Sequence, residues 1–186
     1  MAAPGGADGV VILDELSGID HPGAAARWLS RHPSFFKEGT QSPNHFAYNR
    51  WVSADLRLAP GILEEVVKHA KACYPKEGCG LIAGSDTGSK FFPMENVRMS
   101  SSEYEMDAAR LISVLREIRN SGEQLVAIYH SHPFGPAKPS GRDIERAYYP
   151  EAGHLIVSLT ERERPQAAAF RIIDGKALEV ELHVIV

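Results

Sequence analysis

The sequence lacks the features that define several large classes of protein. Its 186 residues contain only two cysteines, Cys73 and Cys79, and no CxxC pair, so we expect no disulfide scaffold. No apolar run approaches the roughly 20 residues that a membrane-spanning helix needs. The formal net charge of -4 is too mild to favour a nucleic-acid or membrane partner. The N-terminus has no basic segment before its short apolar stretch, so we expect no secretory signal and a soluble, cytoplasmic protein.

Several motifs of catalysis are also missing. There is no HExxH of the thermolysin type and no HxE…PCxxC of the zinc deaminases. The glycines of residues 78–84 do not form GxGxxG, and residues 84–90 have the wrong spacing for a phosphate-binding loop. Common metalloprotease and nucleotide-binding patterns therefore do not apply.

The chain divides into two zones. Residues 1–54 are irregular and contain turn-forming pairs such as Pro22-Gly23 and Pro43-Asn44, with one possible short helix over residues 24–29. Their aromatic content is too high for a plain disordered tail, so we expect part of this extension to pack on the main domain. These aromatic residues are Trp28, Phe35, Phe36, Phe46, Tyr48 and Trp51. Residues 55–186 have a regular pattern and are predicted to form the main domain.

Apolar periodicity predicts helices and strands across the main domain. A helix is expected to begin at Pro60, with an apolar face at Ile62, Val66, Val67 and Ala70, followed by helices over Ala108–Ile118 and Ser140–Tyr149. Asp174-Gly175 predicts a hairpin turn between the last two strands. The predicted strands are Asp55–Leu58, Cys79–Ala83, Phe91–Val97, Leu125–His130, His154–Leu159, Ala167–Ile173 and Ala177–Val186. Their order indicates an α/β fold, a mixed β-sheet flanked by helices.

Two histidines stand where a predicted strand meets a loop rich in proline. His130 and His132 are two residues apart and therefore point to the same face of an extended strand. Asp143 follows in the first turn of the next predicted helix. Two imidazoles and a carboxylate are a plausible zinc set, with the fourth position left for water. The same residues also have ordinary interpretations: surface histidines, and a Ser140–Asp143 capping box that would compete with the metal for the Asp143 side chain.

Hydrolysis at such a metal also needs a general base. Glu77 precedes a predicted buried strand and could face the metal if that strand neighbours the histidine strand, but alone it is an ordinary acid. The thiol of Cys79 is an alternative nucleophile, although its apolar surroundings favour a buried hydrophobe. His154 opens the next strand and is expected near the site. The other histidines, His21, His32, His45, His69 and His183, show no ligand spacing.

The segment HSHPFGPAKPSGRD resembles the metal motif of the JAMM (MPN-plus) metalloproteases: His-x-His, seven residues, Ser, two residues, Asp. Glu77 and the residues after it resemble the strand of that family that bears a glutamate, and the likeness extends over roughly residues 55–160. The resemblance implies a three-layer, cytidine-deaminase-like MPN fold. It also implies that His130, His132 and Asp143 bind Zn²⁺, that Glu77 is the general acid and base, and that Ser140 supports the oxyanion.

The resemblance also implies a substrate. Members of this family cut peptide or isopeptide bonds at the C-terminal tail of ubiquitin-like proteins, after a Gly-Gly terminus. This chain is similar to the stand-alone prokaryotic type, which processes sulfur-carrier proteins. Two alternatives remain: an MPN module that binds ubiquitin-like proteins without cutting them, and a zinc amidase that acts on a small molecule. The aromatic N-terminal extension could gate the site or dock a partner, and the sequence leaves the oligomeric state open.

Overall fold

The structure, a computed structural model, describes residues 55–185. The expected N-terminal extension and its short helix lie outside these residues. Seven strands and three helices are present within them. The strands are β1 (Asp55–Leu58), β2 (Cys79–Gly84), β3 (Gly88–Met94), β4 (Gln124–His132), β5 (Gly153–Ser158), β6 (Gln166–Ile173) and β7 (Lys176–Val184). The helices are α1 (Ile62–Cys73), α2 (Ala108–Asn120) and α3 (Gly141–Glu145).

The strands form one curved mixed sheet in the order β3-β2-β4-β5-β6-β7-β1. The pairs β4/β5 and β7/β1 are parallel, and the other consecutive pairs are antiparallel. The two ends of the sheet meet at one residue pair, Leu58 with Gly88. The hairpin turn between β6 and β7 is confirmed: Asp174 and Gly175 both have positive φ, which a two-residue turn of this hand requires.

Helices cover both faces of the sheet, so the predicted three-layer architecture is confirmed. α1 buries Ile62, Val66 and Ala70 against one face. α2 buries Leu111, Val114 and Ile118 against the other face. The N-terminus of α2 is fixed by Asp107, whose side chain accepts a hydrogen bond from the backbone N–H of Arg110. No helix of residues 55–185 is long and apolar enough to cross a membrane.

Two predicted elements differ from the observed ones. The helix expected over Ser140–Tyr149 is wrong in length, because α3 ends at Glu145. It buries none of its side chains and so lacks the apolar stripe that stabilises a helix in a protein. The strand expected over Phe91–Val97 lies earlier, at Gly88–Met94. The chain turns at Asn96 instead, because the Asn96 side chain accepts from the backbone N–H groups of Arg98 and Glu105.

The strand that carries the histidines is longer than expected. The sequence predicts a strand over Leu125–His130, whereas β4 begins at Gln124 and continues to His132. Its register with β5 pairs His130 with Ile156 and His132 with Ser158. His130 is therefore paired with strands on both sides, β2 and β5, and His132 is paired with β5, which fixes their backbone before the chain enters the proline-rich loop.

Candidate metal centre

The two histidines of β4 converge on one point. Side chains alternate along the strand, so Ile128, His130 and His132 share one face. Ile128 packs in the cluster beneath α2, and the histidines continue the same row beyond it. Their Nε2 atoms are 3.1 Å apart. Along this one face of β4, the side chains thus change from an apolar core residue, Ile128, to the two histidines of the site.

Asp143 brings the third converging atom from α3. Its Oδ2 atom lies 3.5 Å from Nε2 of His130 and 3.6 Å from Nε2 of His132. The same Oδ2 accepts a hydrogen bond of 2.7 Å from the backbone N–H of Ser140, and Ser140 Oγ accepts one of 3.2 Å from the backbone N–H of Asp143. The capping box is therefore complete.

The geometry bears on the competition for the Asp143 side chain that the sequence predicts between the capping box and a metal. One carboxylate oxygen, Oδ2, completes the box and also faces both histidines. A carboxylate oxygen has more than one lone pair, so Oδ2 can accept from Ser140 and still face the histidines. The cap holds the carboxylate in its direction towards the two rings.

The three atoms fit a metal ion. Their separations are 3.1, 3.5 and 3.6 Å, and all lie within the range expected of a single ligand cluster. Tetrahedral coordination with bonds of about 2.0–2.1 Å places ligand atoms about 3.3–3.4 Å apart. A single hydrogen bond would explain why two of these atoms lie close together. It would not explain why all three, the two Nε2 atoms and Oδ2, lie close to one another. Two imidazoles and one carboxylate leave a fourth position for water or substrate.

Neighbouring groups fix the orientation of both rings. The Nδ1 atom of His132 lies 2.7 Å from the carbonyl oxygen of Pro136. Because a carbonyl can only accept, Nδ1 carries the proton and the lone pair of Nε2 is left for the metal. The ring of His130 is stacked on Tyr104, with centroids 4.7 Å apart and planes 22° from parallel. Backbone and side chain thus hold both imidazoles in the ligand orientation.

The protonation states of His130 and Asp143 also suit a metal. Burial lowers the pKa of His130, which favours the neutral form that ligates. Burial alone would raise the pKa of Asp143, but in the metal-free protein the adjacent imidazoles of His130 and His132 outweigh burial and hold that pKa well below its usual range. The carboxylate is therefore ionised and His130 neutral at neutral pH, the forms that bind a divalent cation. Burial lowers the pKa of His132, but contacts with Asp143 and with the carbonyl of Pro136 outweigh burial and raise that pKa, so metal binding would release a proton from His132.

Glu77 lies two residues before β2 begins, at the end of the β2/β4 pair where His132 stands, and its carboxylate interacts electrostatically with His132. The ladder pairs Cys79 with His130, and the backbone N–H of Ser131 donates to the carbonyl of Gly78 over 2.9 Å. The same register, continued by one residue, sets Glu77 against His132. Directly opposed residues of an antiparallel pair have Cβ atoms about 4.5–5.5 Å apart. The adjacency that the sequence could not establish is thus present in the sheet.

The Glu77 side chain is buried and its carboxylate is not neutralised by an ion pair. It is 3% exposed, and Oε2 has no hydrogen-bond partner within the described part of the chain. Burial raises the pKa of Glu77 to about 7, and Asp143 and Glu103 add to this rise while His132 and Arg142 oppose it. A carboxylate with this pKa exchanges protons near neutral pH, as a general base must.

The loop between β3 and α2 forms one wall of the site. Asn96 Nδ2 donates to the carbonyls of Glu77 and Glu103, over 3.0 and 3.1 Å. The Glu103 carboxylate reaches α3, where its Oε2 lies 3.0 Å from Nη1 of Arg142 and 3.7 Å from Nη1 of Arg146. Sequence reasoning missed Asn96, Glu103 and Tyr104, because this loop has no periodic pattern and its contacts are distant in sequence.

The remaining sequence hypotheses can be placed as well. His154 shares the face of His130, since it pairs in register with Ile128, and its buried ring nitrogens have no hydrogen-bond partner within residues 55–185. The thiol of Cys79 lies in the core beneath α2, and burial raises its pKa far above neutrality, so it is not the nucleophile. His69 contacts the Cys73 sulfur at 3.6 Å, and His183 is exposed beside Glu181.

Comparisons with known proteins agree with this geometry. Residues 60–173 match the family described as prokaryotic homologs of the JAB domain. The chain is 33% identical over 133 residues to the CysO-cysteine peptidase of Mycobacterium tuberculosis, covering 70% of this chain and 91% of that protein. It is 44% identical over 93 residues to a probable TtuB-protein conjugate cleaving protease of Thermus thermophilus, covering 50% of this chain and 63% of that one.

A solved structure has the same fold. The solution structure of a protein from Desulfitobacterium hafniense superposes with a TM-score of 0.63 at 30% identity, and the match covers 70% of this chain and 92% of that one. Since the matched part corresponds to most of that protein, the likeness concerns the whole domain rather than a local motif.

Proposed function

Because this chain belongs to the family of prokaryotic homologs of the JAB domain, we propose that it is a zinc-dependent hydrolase of the C-terminal tails of ubiquitin-like or sulfur-carrier proteins. The bond cut is a peptide or isopeptide bond after a Gly-Gly terminus. The observation that carries the proposal is the convergence of His130, His132 and Asp143, with the buried Glu77 near His132. Residues 55–186 form the catalytic domain in this account.

The three converging residues would hold zinc. When bound, zinc supplies Lewis-acid activation of a water molecule and of the scissile carbonyl. The chain would contribute the two oriented rings and the carboxylate that the Ser140 cap fixes, and three protein ligands would leave a fourth position for water or substrate. These ligand types suit zinc better than magnesium or calcium, which prefer sets made only of oxygen.

Glu77 moves the proton. Its Oε2 takes a proton from the attacking water and returns it to the leaving nitrogen, so that the C–N bond breaks and a carboxylic acid and an amine form. The position of Glu77 beside the metal and its shortage of hydrogen-bond partners support this role. An ion-paired carboxylate would be a weaker base, because a strong partner would stabilise its charged form.

Ser140 supports the developing oxyanion. Its Oγ accepts from the backbone N–H of Asp143, and this contact leaves the hydroxyl proton available for donation. The serine is exposed at the N-cap of α3, one turn from a metal ligand. A donor aimed at the oxyanion stabilises the transition state more than the ground state, which is what raises kcat.

The substrate class is supported by the relatives. One is named a peptidase of a CysO-cysteine adduct and another a protease that cleaves TtuB-protein conjugates. Both names describe proteolytic cleavage, in one case of a protein conjugate. We extend that class to this chain, and we also propose a cytoplasmic location, which its two free cysteines support.

Mass spectrometry tests the proposal. Ubiquitin-like and sulfur-carrier proteins with an added C-terminal residue, or joined to a lysine, are incubated with the zinc-loaded protein, and Glu77→Gln is the matched control. We expect loss of the added group from at least one adduct with the wild type and none with the variant. Tight binding without cleavage would indicate a binding module instead. Cleavage of small amides but of no protein adduct would indicate a small-molecule amidase.

A further inference from the structure

Two arginines on α3 share one acidic partner at the rim of the metal centre. Arg142 and Arg146 are one helical turn apart, so their side chains lie on the same side of α3. Both ion pairs use the Nη1 atom of the arginine and the Oε2 atom of Glu103. Two positive charges thus meet one negative charge. The guanidinium groups remain open to solvent, since the arginine side chains are 51% and 42% exposed.

The cluster lies beside the reacting groups. Arg142 precedes the ligand Asp143 in the chain. Glu103 is held next to the general base, because a single Asn96 nitrogen donates to the carbonyls of both Glu77 and Glu103. The three charged side chains therefore span from the Glu77 side of the metal centre to the helix that carries Asp143. Arg142 also interacts electrostatically with the Glu77 carboxylate, so the cluster is part of the surroundings of the proposed general base.

We propose that Arg142 and Arg146 form a subsite for a free α-carboxylate on the leaving group. This rests on the proposed function and makes it more specific. A guanidinium group is planar and presents paired N–H donors that match a carboxylate. In a leaving amino acid, the carboxylate is attached to the carbon that bears the scissile nitrogen. In a lysine isopeptide it is absent from that position, because the lysine side chain separates the two.

In the absence of substrate, the Glu103 carboxylate forms ion pairs with both arginines. The Glu103 side chain is 29% exposed and reaches both guanidinium groups through one oxygen. A substrate carboxylate would join or replace this contact at little electrostatic cost, because the two arginines exceed Glu103 by one charge. The subsite predicts a preference for removing a single terminal amino acid over cutting a conjugate.

Two peptides that differ only at the C-terminus provide the probe. Both carry a ten-residue carrier tail ending in Gly-Gly-Ala, one with a free acid and one with a carboxamide. We expect the wild type to cut the acid with kcat/KM about tenfold to a hundredfold above the amide, mainly through KM. Equal values for the two peptides would overturn the subsite.

Variants separate recognition from structure. Arg142→Gln and Arg146→Gln should each lower kcat/KM for the acid by a larger factor than for the amide, and Arg142→Lys should restore part of the preference. Glu103→Gln should increase the preference, because it removes the competing carboxylate. If the ion pairs had only a structural role, all of these variants would lower kcat/KM for both peptides by the same factor. Arg116→Gln, an exposed charge change on α2, is the control.

Binding is measured separately from cleavage. Fluorescence anisotropy of the same two peptides on Glu77→Gln protein should show tighter binding of the acid, and the added Arg142→Gln change should abolish the difference. No difference in affinity would overturn the subsite even if both peptides are cut. Failure of the wild type to cut either peptide, with the affinity difference intact, would contradict the proposed hydrolysis and support the subsite.

Discussion

The two faces of β4 begin alike and end differently. The face towards α1 carries Ala127 and Tyr129 in the hydrophobic core and ends at the buried Ser131, whose Oγ accepts a hydrogen bond from the backbone N–H of Gly78. The face towards α2 begins with Ile128 in a second core cluster and then presents His130 and His132. The same alternation of side chains therefore builds a core on one side and the candidate metal centre on the other.

The difference shows what each face contributes. On the α1 side, burial of apolar side chains stabilises the fold at roughly 25 cal/mol per Å². On the α2 side, Glu77 Oε2, His130 Nδ1 and both His154 nitrogens are buried without a hydrogen-bond partner among the described residues. The α1 side has two such atoms, the Tyr129 hydroxyl and His69 Nδ1. Unpartnered buried polar atoms destabilise a fold by about 1–3 kcal/mol each. The α1 face thus stabilises a sheet whose other face is arranged for chemistry.

The largest expected effect separates chemistry from folding. Glu77→Gln keeps the size of the side chain but removes the base, so kcat should fall by about 10²–10⁴-fold. Zinc content and melting temperature should not decrease, because Glu77 is neither a ligand nor part of the core. Steady-state kinetics and elemental analysis check this. Normal hydrolysis by the variant would remove Glu77 from the mechanism.

Ser140→Ala should have a similar but smaller effect. Loss of one oxyanion donor typically lowers kcat by about 10²–10³-fold. The variant also loses half of the capping box, which we expect to reduce stability by about 1 kcal/mol. Single-turnover kinetics isolates the chemical step. A variant with an unchanged rate but a lower melting temperature would show that Ser140 serves only as a cap.

Leu155→Ala tests the opposite face. Leu155 is fully buried in the cluster beneath α1, so its truncation should lower the free energy of unfolding by about 2–5 kcal/mol. Zinc stoichiometry and kcat of the folded fraction should stay at wild-type values. Denaturant titration gives the first quantity. If kcat fell as steeply as for Glu77→Gln, the two faces would not be independent.

The metal-free protein should show the buried Glu77 in its pH dependence. Burial raises the pKa of Glu77 to about 7, above the 4.5 of a free glutamate. A raised pKa gives a contribution that is complete below pH 4.5 and is lost as pH rises through 7. Glu77→Gln should therefore gain stability over the wild type at pH 8, by at most about 3 kcal/mol, with little difference at pH 4. Equal stability of the two proteins at both pH values would contradict the conclusion that burial raises the pKa of Glu77.

The smallest effect is expected from removal of residues 1–54. Family similarity covers residues 60–173, and every proposed catalytic residue lies within that range. Turnover of a peptide substrate by residues 55–186 should therefore stay within a few-fold of the full chain. A large increase would indicate that the extension gates the site. A large loss would indicate that it contributes to the active domain.

The sequence predicts the site better than its surroundings, for physical reasons. The two histidines on one strand face follow from the period of two, and all seven strands lie close to their predicted positions. The length of α3 could not be predicted, since the pattern does not show that its side chains stay unburied. The roles of Asn96, Glu103 and Tyr104 depend on contacts between a loop and distant elements, which no local pattern encodes.

The central claim is that His130, His132 and Asp143 hold one zinc ion while the rest of the sheet folds without it. Elemental analysis of the purified wild type, Leu155→Ala and His130→Ala proteins, after dialysis against the same zinc-containing buffer and then against zinc-free buffer, tests it directly. We predict one zinc per chain in the wild type and in Leu155→Ala, and almost none in a folded His130→Ala. Full zinc occupancy in His130→Ala, or none in the wild type, would contradict the account.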